Sequence, residues 1–186
     1  DLKRAQKAGA VFNPEKLDWL QKEHIKVLGT DEIADRLEPI LEKFGTKTTK
    51  AFLKKVLDVE GQRLKTLNDL PEIAGFFFKL PDYEAELLVW QKSSREETIS
   101  ALEKAASIIR ELDRELDDKN FNRSLIAAAL EPLTRELGRG AVFWPLRVAL
   151  SGLRASPDPL EIMDVLNKKE TEARIKIALE KLRSLE

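Results

Sequence analysis

Phe143-Trp144-Pro145-Leu146-Arg147-Val148-Ala149-Leu150-Ser151-Gly152, followed shortly by Ser156-Pro157, reads as a short helix with an early proline. A glycine closes it, and a new helix start follows at once. One cation, Arg147, stands among apolar neighbours in that helix. An unpaired charge in such a setting is costly, so Arg147 is either held by a carboxylate or kept for a ligand. The residues alone leave both open.

Working outward, every periodic segment has the helical period, and no alternating strand of useful length occurs. Asn13 caps a helix with Pro14 in its first turn, and Leu17, Leu20, Ile25 and Leu28 follow before Gly29. Thr30 or Asp31 opens a second helix, and a third is predicted from about Thr48 to Leu67, weakened by Gly61. Asn68-Asp69-Leu70-Pro71-Glu72 starts a further helix into Phe76-Phe77-Phe78, and Leu80-Pro81-Asp82 ends it. Lys92-Ser93-Ser94 reads as a linker, and Ser94-Arg95-Glu96-Glu97 fits the capping box.

Beyond the charged turn Asp117-Asp118-Lys119-Asn120, a helix is predicted from about Asn122 to Leu137, kinked at Pro132, with Gly138 to Gly140 as a loop. A helix from Ser156-Pro157 to Leu166 follows, with Asn167 as a left-handed cap. The last helix puts Ile175, Ala178, Leu182 and Leu185 on one face. The fold class is all-α: roughly nine or ten helices in two consecutive bundles, divided near Ser93 into residues 1–92 and 93–186.

Composition narrows the function. Among 186 residues, 32 Lys+Arg balance 33 Asp+Glu, which argues against a wholly basic nucleic-acid binder but permits a local basic face. There is no cysteine and a single histidine, His24, so neither a thiolate site nor a His-rich metal cluster can be built. No run approaches the ~18 apolar residues of a membrane span, and no signal-peptide pattern opens the chain. A cytoplasmic setting is expected. The chain opens Asp1-Leu2-Lys3-Arg4 without an initiator methionine, which points to a piece of a longer protein. The glycines are scattered at helix ends and breaks, so no phosphate-cradling loop exists, and Glu-x-x-His spacing is missing. His24 lies at helical spacing near Leu17, Leu20 and Leu28 and reads as structural. Acids alternate with bases along helix faces, as in Glu111-Leu112-Asp113-Arg114-Glu115, the pattern of a solvated surface. No catalytic residue and no metal site is assigned.

Two stretches go beyond generic helix. Gly9-Ala10-Val11-Phe12-Asn13-Pro14-Glu15-Lys16-Leu17-Asp18-Trp19-Leu20 resembles the segment that follows the catalytic part of bacterial glutamyl-tRNA synthetases. The stretch from Phe143 to Gly152, continued by Ser156-Pro157, resembles the same family's C-terminal Pro-Leu-Arg-x-Ala-Leu-Thr/Ser-Gly element. Gln62-Arg63-Leu64-Lys65-Thr66-Leu67-Asn68-Asp69-Leu70 and Phe76-Phe77-Phe78 are similar to its middle region, in the same order and spacing. The family's adenylating motifs, His-x-Gly-His and Lys-Met-Ser-Lys-Ser, do not occur here. Glu23-His24-Ile25 stands where the family often has a tyrosine before the isoleucine, Asn167-Lys168-Lys169-Glu170 where it often has Leu-Gly-Lys-Glu, and Pro159 replaces a common leucine.

The resemblance implies an anticodon-binding region of two helical subdomains, 1–92 (with the tail of a preceding linker at 1–12) and 93–186. It implies a monomer whose partner is the anticodon loop of glutamate tRNA, with no membrane and no cofactor in this chain. ATP and Mg2+ would belong to a catalytic domain outside it. The family's anticodon pocket corresponds to Arg147, Ser151, Ser156, Pro157 and Pro159, with Arg63 and Lys65 as further candidates near the third base. Arg110, Arg114, Lys119 and Arg123 could touch phosphates, and Trp90 and Trp144 read as core. The competing expectation is a helical scaffold or protein-interaction module without a nucleic-acid role, supported by the near-neutral charge.

Overall fold

The computed structural model describes residues 13–112 and 120–185, where nine α-helices and short 3-10 turns carry the chain and no strand occurs among the described residues. The first three helices are α1 (Pro14–Val27), α2 (Thr30–Lys43) and α3 (Lys50–Glu60). Asn13 Oδ1 accepts from Lys16 N at 3.1 Å, so the predicted cap forms. α3 is shorter than its predicted 48–67 span. It ends at Glu60, and Gly61–Arg63 tighten into a 3-10 turn before Leu64 becomes extended. The next turn is fixed by a reciprocal box in which Thr66 and Asp69 satisfy each other.

The single helix expected through Phe78 is two short ones, α4 (Leu70–Ile73) and α5 (Gly75–Phe78), broken at Ala74 with φ −118° and ψ 8°. Helices this short do not stand alone in water. They are held by burial of Leu70, Ala74, Phe76 and Phe77, and by the edge-on contact of Phe52 with Phe78 at 5.9 Å.

α6 (Arg95–Glu111) starts from the predicted box: Ser94 Oγ accepts from Glu97 N at 3.1 Å, and Glu97 Oε2 accepts from Ser94 N at 2.7 Å. α7 (Arg123–Leu137) is capped by Asn122 and runs through Pro132. α8 (Arg139–Ser151) begins four residues before the predicted Phe143, so Pro145 is interior rather than early. The expected loop shrinks to Gly138, whose φ of 89° turns the chain between the two helices.

α9 (Pro159–Arg183) corrects the predicted start at Ser156-Pro157. Asp158 is the cap, its Oδ1 accepting from Leu160 N at 2.8 Å, and Pro159 takes the first-turn place suited to proline. The helix is two segments joined at Asn167, whose φ is 69° and ψ 172°. Asn167 Oδ1 then caps the second segment by accepting from Glu170 N at 3.1 Å.

Buried side chains from Ala34 to Leu182 form one continuous cluster, so residues before and after Ser93 share apolar contacts. A buried cation ties them further. Arg174, 2% exposed, donates through Nη1 to Phe76 O at 2.7 Å and Leu150 O at 2.6 Å, and through Nε to Glu170 at 2.7 Å. It therefore joins α9 to the end of α8 and to α5 at one point.

Candidate functional site

The loop 152–158 joins α8 to α9 and is held from several sides. Gly152 closes α8 with φ 70°, and a Cβ there would lie 2.7 Å from Pro81 Cγ, so the site needs glycine for both conformation and space. The buried Ser151 hydroxyl donates to Arg147 O at 2.7 Å and accepts from Leu153 N at 3.2 Å. Ser151 thus braces the loop from beneath. The half-buried Arg147 donates through Nη1 to the carbonyls of Ser156 and, at 2.7 Å, Pro157.

Of the two readings open at the level of sequence, this arrangement departs from the carboxylate partner. Among the described residues no carboxylate bonds Arg147; the loop's backbone carbonyls hold it. All of its bonds use Nη1, while Nε and Nη2 bond to nothing among the described residues and are not fully buried. One side of the guanidinium builds the loop, and the other remains a donor edge. Ser156 and Pro157 are partly exposed beside it, whereas Pro159 is buried in the first turn of α9. Because the cap is Asp158, the free N–H groups expected at Ser156-Pro157 are not a helix start, and a carboxylate already occupies that end. Arg154 and Leu153, exposed on the same loop, were not singled out from sequence; an arginine five residues before a helix-start proline was the available signal.

The second set of candidates sits at the end of α3. Arg63 Nη1 bonds both oxygens of Glu60, at 3.0 and 2.8 Å. Glu60 is wholly buried while the Arg63 side chain is 56% exposed. Burial pushes the Glu60 carboxyl above its ordinary value; Arg63 opposes this and nearby Glu161 adds to it. Glu60 was not among the residues expected at the site; its spacing after Leu53, Val56 and Leu57, which places it on the buried face of α3, is the signal for it. Lys65 is exposed. Its backbone N–H and that of Thr66 both donate to Asp69 Oδ2, at 3.0 and 2.8 Å. Burial raises the Asp69 carboxyl, but these bonds and the Thr66 hydroxyl outweigh it and hold it below its ordinary value.

The first half of α9 packs against α3 and α7. Lys55 Nζ donates to Asp164 O at 3.4 Å, Arg123 N donates to Asp164 Oδ2 at 3.0 Å, and Arg123 pairs with Glu161 at 3.6 Å. Arg123 is thus partly engaged by acids. Arg110 is exposed at the end of α6, and Arg114 and Lys119 lie outside the described residues. Trp144 Nε1 donates to Leu87 O at 2.9 Å, and Trp90 packs where a Cβ on Gly140 would lie, 2.4 Å from its ring. His24 is exposed, as are Leu17, Trp19 and Leu20 on the same helix. Among the described residues no cluster of three or more His, Asp or Glu could hold a metal, and no helix is long and apolar enough to cross a membrane.

Comparison with known proteins gives a consistent set of relatives. The glutamate–tRNA ligase of Clostridium tetani is 33% identical over 189 residues, covering 99% of this chain and 37% of that protein. That of Clostridium acetobutylicum is 32% identical over 187 residues, covering 98% and 37%. The crystal structure of a glutamate tRNA ligase from Elizabethkingia meningosepticum in complex with its amino acid superimposes with a TM-score of 0.82 at 26% identity, covering 98% of this chain and 35% of that one. The chain therefore spans little more than a third of the length of these relatives. Residues 32–179, most of the described helices, match the family model for the anticodon binding domain, and the chain belongs to that family.

Proposed function

We propose that this chain reads the anticodon loop of glutamate tRNA as part of a cytoplasmic glutamate–tRNA ligase, and that it does so as a monomer. The joining of glutamate to tRNA, with its ATP and Mg2+, then belongs to a catalytic part outside this chain. Residues 1–92 and 93–186 act in this reading as two consecutive helical subdomains, contributing the Arg63/Lys65 turn and the Arg147 loop. Family membership speaks against a scaffold with no nucleic-acid role.

One observation carries the proposal: the divided use of the Arg147 guanidinium. Unpaired loop bases can be splayed out, stacked on planar groups and hydrogen-bonded along their Watson–Crick edges. A guanidinium fixed by two carbonyls has little freedom left to lose on binding, and its unbonded Nε/Nη2 edge presents two donors in a fixed fork. Ser156 and Pro157, half-buried and in contact with Nη1, add a hydroxyl and a rigid apolar ring beside the guanidinium. Ser151 and Pro159, both buried, act by holding the loop and the first turn of α9.

Titration of the protein with glutamate tRNA at low salt tests this. Arg147→Ala is expected to weaken binding by roughly ten- to a hundredfold, the worth of about one or two base contacts. Affinity is also expected to fall with rising salt. Unchanged affinity in the variant would exclude Arg147 from the interface.

A further inference from the structure

Glu60 is an acid the fold has no packing reason to keep. Wholly buried on α3, its carboxylate would be lost at little cost if an apolar residue of similar size stood there, since burying a charge is unfavourable unless it is fully paired. Its pairing is also lopsided. Both oxygens are engaged by one nitrogen, Nη1 of Arg63, at 3.0 and 2.8 Å, while most of the Arg63 side chain remains in solvent. Arg63 Nε and Nη2 bond to nothing among the described residues. The local backbone is fixed as well: Gly61–Arg63 form a 3-10 turn, and Asp69 anchors the N–H groups of Lys65 and Thr66 just beyond. This repeats the arrangement at Arg147, one nitrogen spent on the protein and the rest of the fork left open, but with a buried carboxylate in place of carbonyls.

We propose that Glu60 is a positioning residue for RNA recognition, fixing the Arg63 guanidinium in one orientation so that its open edge bonds an unpaired anticodon-loop base. This rests on the anticodon-reading function proposed above. The role predicts coupling: Glu60 matters to RNA only through Arg63.

Binding of a fluorescently labelled anticodon stem-loop RNA with the glutamate tRNA sequence measures it, with thermal melts confirming that each variant is folded. Arg63→Ala is expected to weaken binding about tenfold, and Glu60→Gln about fivefold. In the double variant, Glu60→Gln should add nothing further. An equal loss from Glu60→Gln with and without Arg63, or no loss in either case, would overturn the positioning role. Arg63→Lys gives a check that leaves Glu60 untouched. It keeps the charge and the ion pair but not the fork, so it should bind as weakly as Arg63→Ala, and full retention of affinity would overturn the base contact. If the unaltered protein binds this RNA and Arg147→Ala weakens it while the Arg63 variants do not, the positioning role alone fails. If the unaltered protein does not bind, the anticodon reading itself fails.

Discussion

Three charged side chains stand in apolar settings, and each is satisfied differently. Arg147 is held by loop carbonyls, Arg174 by carbonyls and Glu170, and Glu60 by the half-exposed Arg63. The Glu60 arrangement has a pH signature. Its carboxyl, raised by burial, keeps a proton in the folded state at pH values where the unfolded chain has lost it. Unfolding then releases that proton, so the contribution of Glu60 to stability is fullest below the ordinary carboxylate range and declines as pH rises through the native value. Urea midpoints across that window should show the decline, and Glu60→Gln should flatten it. A second residue-scale prediction concerns Gly140→Ala, whose Cβ would fall within 2.4 Å of the Trp90 ring. It should cost about 1–3 kcal/mol of stability and shift tryptophan fluorescence as Trp90 moves. The sequence marked Arg147 as anomalous because it is flanked by apolar residues, but could not show that its partners are carbonyls. Backbone groups are the same at every position, so only the path of the 152–158 loop reveals which face the guanidinium.

At the scale of the element, side-chain caps were legible and backbone-driven ends were not. Asn13, Ser94 and Asn122 start their helices as their residue types require. α9 starts two residues after the predicted Ser156-Pro157, because Ser156-Pro157 and Asp158-Pro159 are both acceptable cap–proline pairs. The second won because Arg147 holds the carbonyls of Ser156 and Pro157 in the loop. Likewise the apolar period of α3 continues past Glu60 into Leu64, although the backbone leaves the helix at Gly61. Within α9, Asn167 carries φ 69° and ψ 172°, a region that only glycine enters without strain, and also caps the second segment. Asn167→Ala keeps the strain and loses the cap, so a loss of about 2 kcal/mol is expected in chemical denaturation. Asn167→Gly relieves the strain as it loses the cap, and should lie within about 1 kcal/mol of the unaltered protein.

At the scale of the whole molecule, the apolar cluster crosses Ser93 and Arg174 pins α5, α8 and α9 together. Replacing Arg174 with methionine would leave the carbonyls of Phe76 and Leu150 without a donor. A loss of about 3–5 kcal/mol is expected, read as a lowered denaturation midpoint in circular dichroism. Arg174 was legible in principle, since it lies four residues before Ala178 on the buried face of α9, but its long-range partners were not. The helical class and the order of helices followed from periodicity, whereas the contacts that join distant segments depend on packing that no local pattern encodes. In the proposed function this assembly presents fixed donors to anticodon bases. The most direct test of this is to compare the affinity of the protein for glutamate tRNA with that for the same tRNA carrying a substituted anticodon, at one low salt concentration. The native anticodon should bind at least about tenfold more tightly; equal affinity for the two would contradict the proposed function.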